Sequence, residues 1–206
     1  IFAFTAAPVT VFLSGIIGSQ FSPVKSLATL PMALSIVGIA IFAIFAAKVM
    51  SIIGRRAGFI FASIISSLSS LLAAYSIIIE SFILFNFACF LLGAGVAFSH
   101  QYRFAAVETV KKDMAPKAIS IILLAGIGSA FIGPNVANIT KDIIAEHLYA
   151  GSYIALAALT LTSIIFLLFY KDGHKPNRIN KKTSRSYLEL ISQPRFLQAL
   201  VASAFA

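Results

Sequence analysis

The 206-residue chain is 59% hydrophobic, only 11% charged, and has a mean hydropathy of +0.95. A soluble domain keeps roughly a quarter of its residues charged, so this chain cannot cover a water-facing surface and suits a lipid solvent. Its one cysteine, Cys89, excludes an intrachain disulfide and any multi-cysteine metal centre, and no cofactor is expected.

Six stretches approach the roughly 20 apolar residues that cross a bilayer. They are 1–18, 27–47, 57–78, 82–106, 118–138 and 149–170, and a seventh apolar run opens near 194. The expectation is an all-α polytopic membrane protein with a six-helix bundle over 1–170. A basic loop over 171–193 and the start of a seventh span over 194–206 follow. The chain begins at Ile1 inside one apolar run and stops inside another, "LQALVASAFA" at 197–206, so truncation at both ends is expected. Short connections make sequential helices antiparallel neighbours.

Charge sorts by side. The loops 48–56, 103–117 and 171–195 hold every Lys and Arg except Lys25 and Lys141, hence 14 of 16. Positive residues resist translocation, so these loops are expected in the cytoplasm and the first helix runs outward. The net charge of +9 is therefore a topology signal, and a nucleic-acid partner is not expected.

Between the second and third spans lies "MSIIGRRAGF" (50–59). Gly54 permits a tight turn there, and Arg55 and Arg56 anchor the next helix among headgroups. In the fifth span Ala125, Ser129, Gly133 and Ala137 recur every four residues, a ridge that lets another helix approach closely. Pro134 removes one backbone donor and invites a bend.

Polar groups inside a span are costly and so point to function. At 100° per residue the fourth span carries Asn86, His100, Gln101 and Glu108 within one face about 100° wide, with Arg103 beside His100. His100 titrates near neutral pH when unperturbed. Glu108 can pair with Arg103, Lys111 or Lys112. These five residues are the candidates for a substrate or proton pathway, and interfacial anchoring is the competing explanation. Thr5, Pro8, Thr10 and Ser14 are milder candidates in the first span. The serines of the third (Ser63, Ser66, Ser67, Ser69, Ser70) read as packing residues. Asn138-Ile139-Thr140 matches a glycosylation triplet by pattern alone.

The stretch "AKVMSIIGRRAGF" (47–59) resembles the signature loop of the major facilitator superfamily, G-x-L-x-D-R-x-G-R-R/K. Gly54, Arg55 and Arg56 match, while Ala47, Ser51 and Ile52 depart from its first half. Ser51 replaces an acid that, in the family, helps latch the outward-open state. "AGIGSAFIGPNVAN" (125–138) resembles the family's fifth-helix pattern G-x-x-x-G-P-x-x-G-G through Gly133 and Pro134, with Ser129 at the first Gly. "PKAISIILLAG" (116–126) and "SQPRFLQAL" (192–200) resemble the fifth-helix start and the link to a seventh helix. "ATLPMAL" (28–34) and "QYRFAAVE" (101–108) resemble a bacterial subgroup of general transporters.

The resemblance implies the N-terminal half of a transporter in a bacterial inner membrane. Its partners would be a small solute, the lipid bilayer, a second six-helix half on the same or another chain, and protons if transport is proton-coupled. An exporter motif of proton-linked members puts Arg four residues before a Gly of the fourth helix. Before Gly93 that position is Cys89, which weakens the proton-antiporter drug exporter, although the fifth-helix pattern of 125–138 resembles one associated mainly with exporters. A non-transporting receptor or subunit is the alternative. An intramembrane serine hydrolase built on Ser129 lacks a histidine at a matching depth, and enzyme activity is not expected.

Overall fold

The computed structural model describes residues 1–170 and Gln193. The expectations for the basic loop and for a seventh span fall outside the described residues, apart from Gln193. After a 3-10 turn over Phe2–Phe4, the described chain is helical: α1 (Ala6–Phe21), α2 (Leu30–Ile53), α3 (Arg55–Ile78), α4 (Phe82–Ser99), α5 (Tyr102–Thr109), α6 (Ala115–Ile139) and α7 (Ala150–Phe169). Six segments are long and apolar enough to cross a membrane, with α4 and α5 together forming the fourth. For orientation, the two ends of the bundle are called here the Gly54 end and the Glu80 end.

Two boundaries differ from the sequence reading. The second connection, expected over 48–56, is one residue. α2 continues through Lys48 and Ser51 to Ile53, and α3 starts at Arg55. Lys48 and Ser51 are polar, yet a polar residue in a last turn at the membrane face costs nothing, and the Ser51 hydroxyl donates to the Lys48 carbonyl within the helix. Gly54 makes the reversal alone, at φ 88° and ψ 163°, a conformation side chains disfavour. Its N–H caps Met50 O and its carbonyl accepts from Gly58 N, both at 3.1 Å. Secondly, the fourth span is not one helix. It breaks at His100 and Gln101, where Gln101 N turns back to Phe98 O at 2.9 Å.

Helices in lipid gain little from hydrophobic burial against each other and rely on close packing. The tightest crossing joins α2 to α4 at Gly38 and Gly93. A methyl group on Gly93 would overlap the Ser35 carbonyl oxygen and lie 3.1 Å from Gly38 Cα, and one on Gly38 would overlap the Phe90 carbonyl oxygen. On the other side of α4, Gly95 lies against the Ser66 hydroxyl of α3. Glycine on both flanks lets α4 sit between α2 and α3 at backbone distance.

The serines of α3 are buried, as packing residues should be. Ser70 donates to Ser66 O within the helix, and Ser63 reaches across to Ser163 of α7 at 2.8 Å. Thr5, Thr10 and Ser14 are likewise buried in the bundle. Two apolar cores result. One, toward the Glu80 end, contains Leu13, Ile17, Phe85, Leu92, Tyr153 and Leu156. The other, toward the Gly54 end, contains Met50, Phe59, Phe98, Ala105 and Leu167. By contrast, α6 buries only Ser129, Gly133 and Ala137 among its described residues.

Candidate functional site at the Gly54 end

The Gly54 turn brings two arginines onto the first turn of α3. A cation is disfavoured there, because the N-terminus of a helix carries partial positive charge. Their partners account for them. Arg55 forks onto Glu108 of α5: Nη2 donates to Oε1 at 2.7 Å and Nε to Oε2 at 3.1 Å. Its Nη1 also donates to Gln101 Oε1 at 3.4 Å and lies 3.8 Å from Met50 Sδ. Arg56 points elsewhere. Its Nη2 donates to Leu168 O at 2.7 Å, in the last turn of α7. That carbonyl end is partially negative, so a guanidinium is favourable there. Adjacent arginines thus tie α3 to the end of the fourth span and to the end of the sixth.

The first tie lies beyond the interruption of the fourth span: Glu108, in the last turn of α5, meets Arg55. Tyr102, the first residue of α5, stacks on Phe59 with ring centroids 4.0 Å apart and planes 8° apart, and packs near Phe4 at 5.5 Å. This ring stack fixes where α5 starts. The fork is part-exposed, with the Arg55 side chain 23% and the Glu108 side chain 44% accessible. Its bidentate geometry raises it above an ordinary surface pair, but exposure limits it to about 1 kcal/mol.

The structure divides the proposed stripe of the fourth span. Gln101 and Glu108 meet at Arg55. His100 ends α4 exposed, with Arg103 exposed one turn on. Asn86 is remote: fourteen residues up the helix, at about 1.5 Å each, it lies roughly 20 Å away toward the Glu80 end. There it is buried, its Nδ2 donates to Phe82 O at 2.8 Å, and its Oδ1 has no partner among the described residues. It borders an apolar crevice of about 500 Å³ between α2 and α4. The helix is interrupted at His100 and Gln101, yet Gln101 and Glu108, seven residues apart, both reach Arg55. Glu108 takes Arg55 rather than the expected Arg103, Lys111 or Lys112.

The α6 ridge faces α1. A side chain on Gly133 would begin 3.1 Å from Val9 Cγ2 and 3.3 Å from Pro8 Cγ. Ser129 is buried and its hydroxyl donates to Gly126 O at 2.6 Å, while Ser152 Oγ of α7 donates to the Ala137 carbonyl at 2.5 Å. Pro134 sits inside α6 without ending it. Sequence reasoning missed the Arg56 cap of α7 and the Gly38–Gly93 crossing. The crossing had a signal, Gly38 inside one apolar span and Gly93 with Gly95 inside another. The cap had none, since its acceptor is a backbone carbonyl.

The family model described as Major Facilitator Superfamily matches residues 1–206, and the chain belongs to that superfamily. It is 30% identical over 201 residues to a Brucella anthropi protein named riboflavin transporter RfnT, covering 96% of this chain and 50% of that one. It is 28% identical over 172 residues to the Bacillus subtilis uncharacterized MFS-type transporter YdeG, covering 81% of this chain and 40% of the relative. Over 151 residues it is 28% identical to YddS, also an uncharacterized MFS-type transporter of that organism, covering 71% and 35%. The chain thus spans half or less of the length of these relatives. No solved structure matches it.

Proposed function

We propose that this member of the major facilitator superfamily forms the six-helix half of a secondary transporter that moves a small solute by alternating access, with its Gly54 end in the cytoplasm of a bacterial inner membrane. The basic excess of the Gly54-end loops supports that orientation. The observation that carries the reading is the fork between Arg55 and Glu108, whose arginine lies in the stretch 47–59 that resembles the second half of the family's signature loop. A part-exposed ion pair worth about 1 kcal/mol is strong enough to bias a two-state equilibrium and weak enough to open in each cycle.

In this reading Arg55, Gln101 and Glu108 hold the inner end of the fourth span in one state. His100 and Arg103 border the same mouth, and a solute or proton passes them. Asn86 acts apart, near the outer end. Gly54, Ser129, Gly133 and Pro134 set the helix approaches that rocking requires, and Arg56 fixes the end of α7. A second six-helix half supplies the opposite wall. A serine hydrolase is disfavoured, because the Ser129 hydroxyl bonds the carbonyl of its own helix and no histidine among the described residues bonds it.

The relative named riboflavin transporter RfnT makes riboflavin the first solute to test. The whole protein reconstituted in lipid vesicles should exchange labelled for unlabelled riboflavin. Exchange of another solute with none of riboflavin would reject that substrate. No exchange across a broad solute panel, with riboflavin binding retained, would favour a receptor.

A further inference from the structure

α4 has 18 residues and is roughly 27 Å long, close to the hydrocarbon thickness of about 30 Å. With α4 crossing the hydrocarbon from Phe82, the break at His100–Gln101 falls at the membrane boundary, and α5, the turn after it and the first residues of α6 then lie at headgroup depth. This short segment presents an unusual surface. Phe104 is 56% exposed, Val110 38% and Met114 43%. Interleaved with them are four exposed cations, Arg103, Lys111, Lys112 and Lys117. None of the four makes an ion pair or side-chain hydrogen bond among the described residues. The carboxylate of Glu108 is engaged by Arg55, so within 102–117 only Asp113 is left to offset them.

Apolar side chains alternating with unpaired cations fit a surface that offers acyl chains and phosphates together. A soluble anion would be served by the cations alone, leaving Phe104, Val110 and Met114 unexplained. We propose that the segment 102–117 binds anionic phospholipid headgroups, with Arg103, Lys111, Lys112 and Lys117 on the phosphates and Phe104, Val110 and Met114 in the upper acyl region. The chemistry is that of an interfacial amphipathic anchor. Because Glu108 lies within the same segment, lipid bound there also steadies the α5 position that Arg55 holds.

The test offers phosphatidylglycerol and phosphatidylcholine in equal amounts to the whole purified protein and counts retained lipids by native mass spectrometry. The unsubstituted protein should retain phosphatidylglycerol in excess. Lys111→Gln, Lys112→Gln and Lys117→Gln combined should cut that excess roughly ten-fold or more, since each cation near an anionic surface counts several-fold. All three lysines are exposed, and size-exclusion behaviour checks that the variant remains folded. Lys25→Gln with Lys141→Gln, away from this segment, should leave the excess unchanged. Equal retention of both lipids, or an excess untouched by the triple substitution, overturns the proposal. Binding of inorganic phosphate through the same lysines without any lipid preference overturns it too, and assigns the segment to a soluble anion.

Discussion

Arg55 and Glu108 stand 53 residues apart in sequence and meet through two near-parallel N–H···O bonds of 2.7 and 3.1 Å. Arg55 opens α3 directly after the Gly54 turn, and Glu108 lies in the last turn of α5, beyond the interruption at His100–Gln101.

A double-mutant cycle isolates the pair. Arg55→Gln and Glu108→Gln should each lower thermal stability slightly, and together by less than their sum. The expected coupling is about 0.5–1 kcal/mol, given the exposure of both side chains. Strict additivity would mean that the fork contributes nothing in solution.

The Gly38–Gly93 crossing makes a sharper demand. A methyl group at Gly93 meets backbone, the Ser35 carbonyl oxygen, and backbone cannot swing aside. Gly93→Ala should cost about 1–3 kcal/mol, seen as a lowered midpoint of thermal unfolding in detergent. Gly126→Ala in α6 has open space around it and should be nearly silent. Equal midpoints for the two variants would contradict a backbone-distance crossing.

The α6 ridge is tested the same way. Gly133→Leu drives bulk into Val9 and Pro8 of α1 and should impair folding or transport. Phe131→Leu, at a position 70% exposed, should do neither.

Orientation is checked by accessibility. In a Cys89-free background, a cysteine at Ser22 or Thr140 should react with an impermeant thiol reagent added outside intact cells, and one at Thr109 should not. The reverse pattern would invert the assignment made from loop charge.

The number and order of spans were legible in the sequence because lipid imposes long apolar runs that few other structures need. The Gly54 turn was legible too, as a glycine flanked by arginines. Its length was not: Lys48 and Ser51 look like loop residues, yet a helix tolerates both where it emerges from the membrane. The interruption of the fourth span was not legible, because Ser99, His100 and Gln101 include neither proline nor glycine. The fork was hidden by sequence distance. Glu108 has Arg103, Lys111 and Lys112 within five residues, and only the fold brings Arg55 closer.

Transport by charge-swapped proteins tests the role of the fork most directly. Arg55→Glu and Glu108→Arg should each reduce solute exchange in vesicles to near background, because each places like charges together. The two combined should restore a substantial part of the rate, since the pair re-forms with its ends exchanged. Normal exchange in either single variant would contradict the assignment of Arg55 and Glu108 as the latch at the inner end of the transporter.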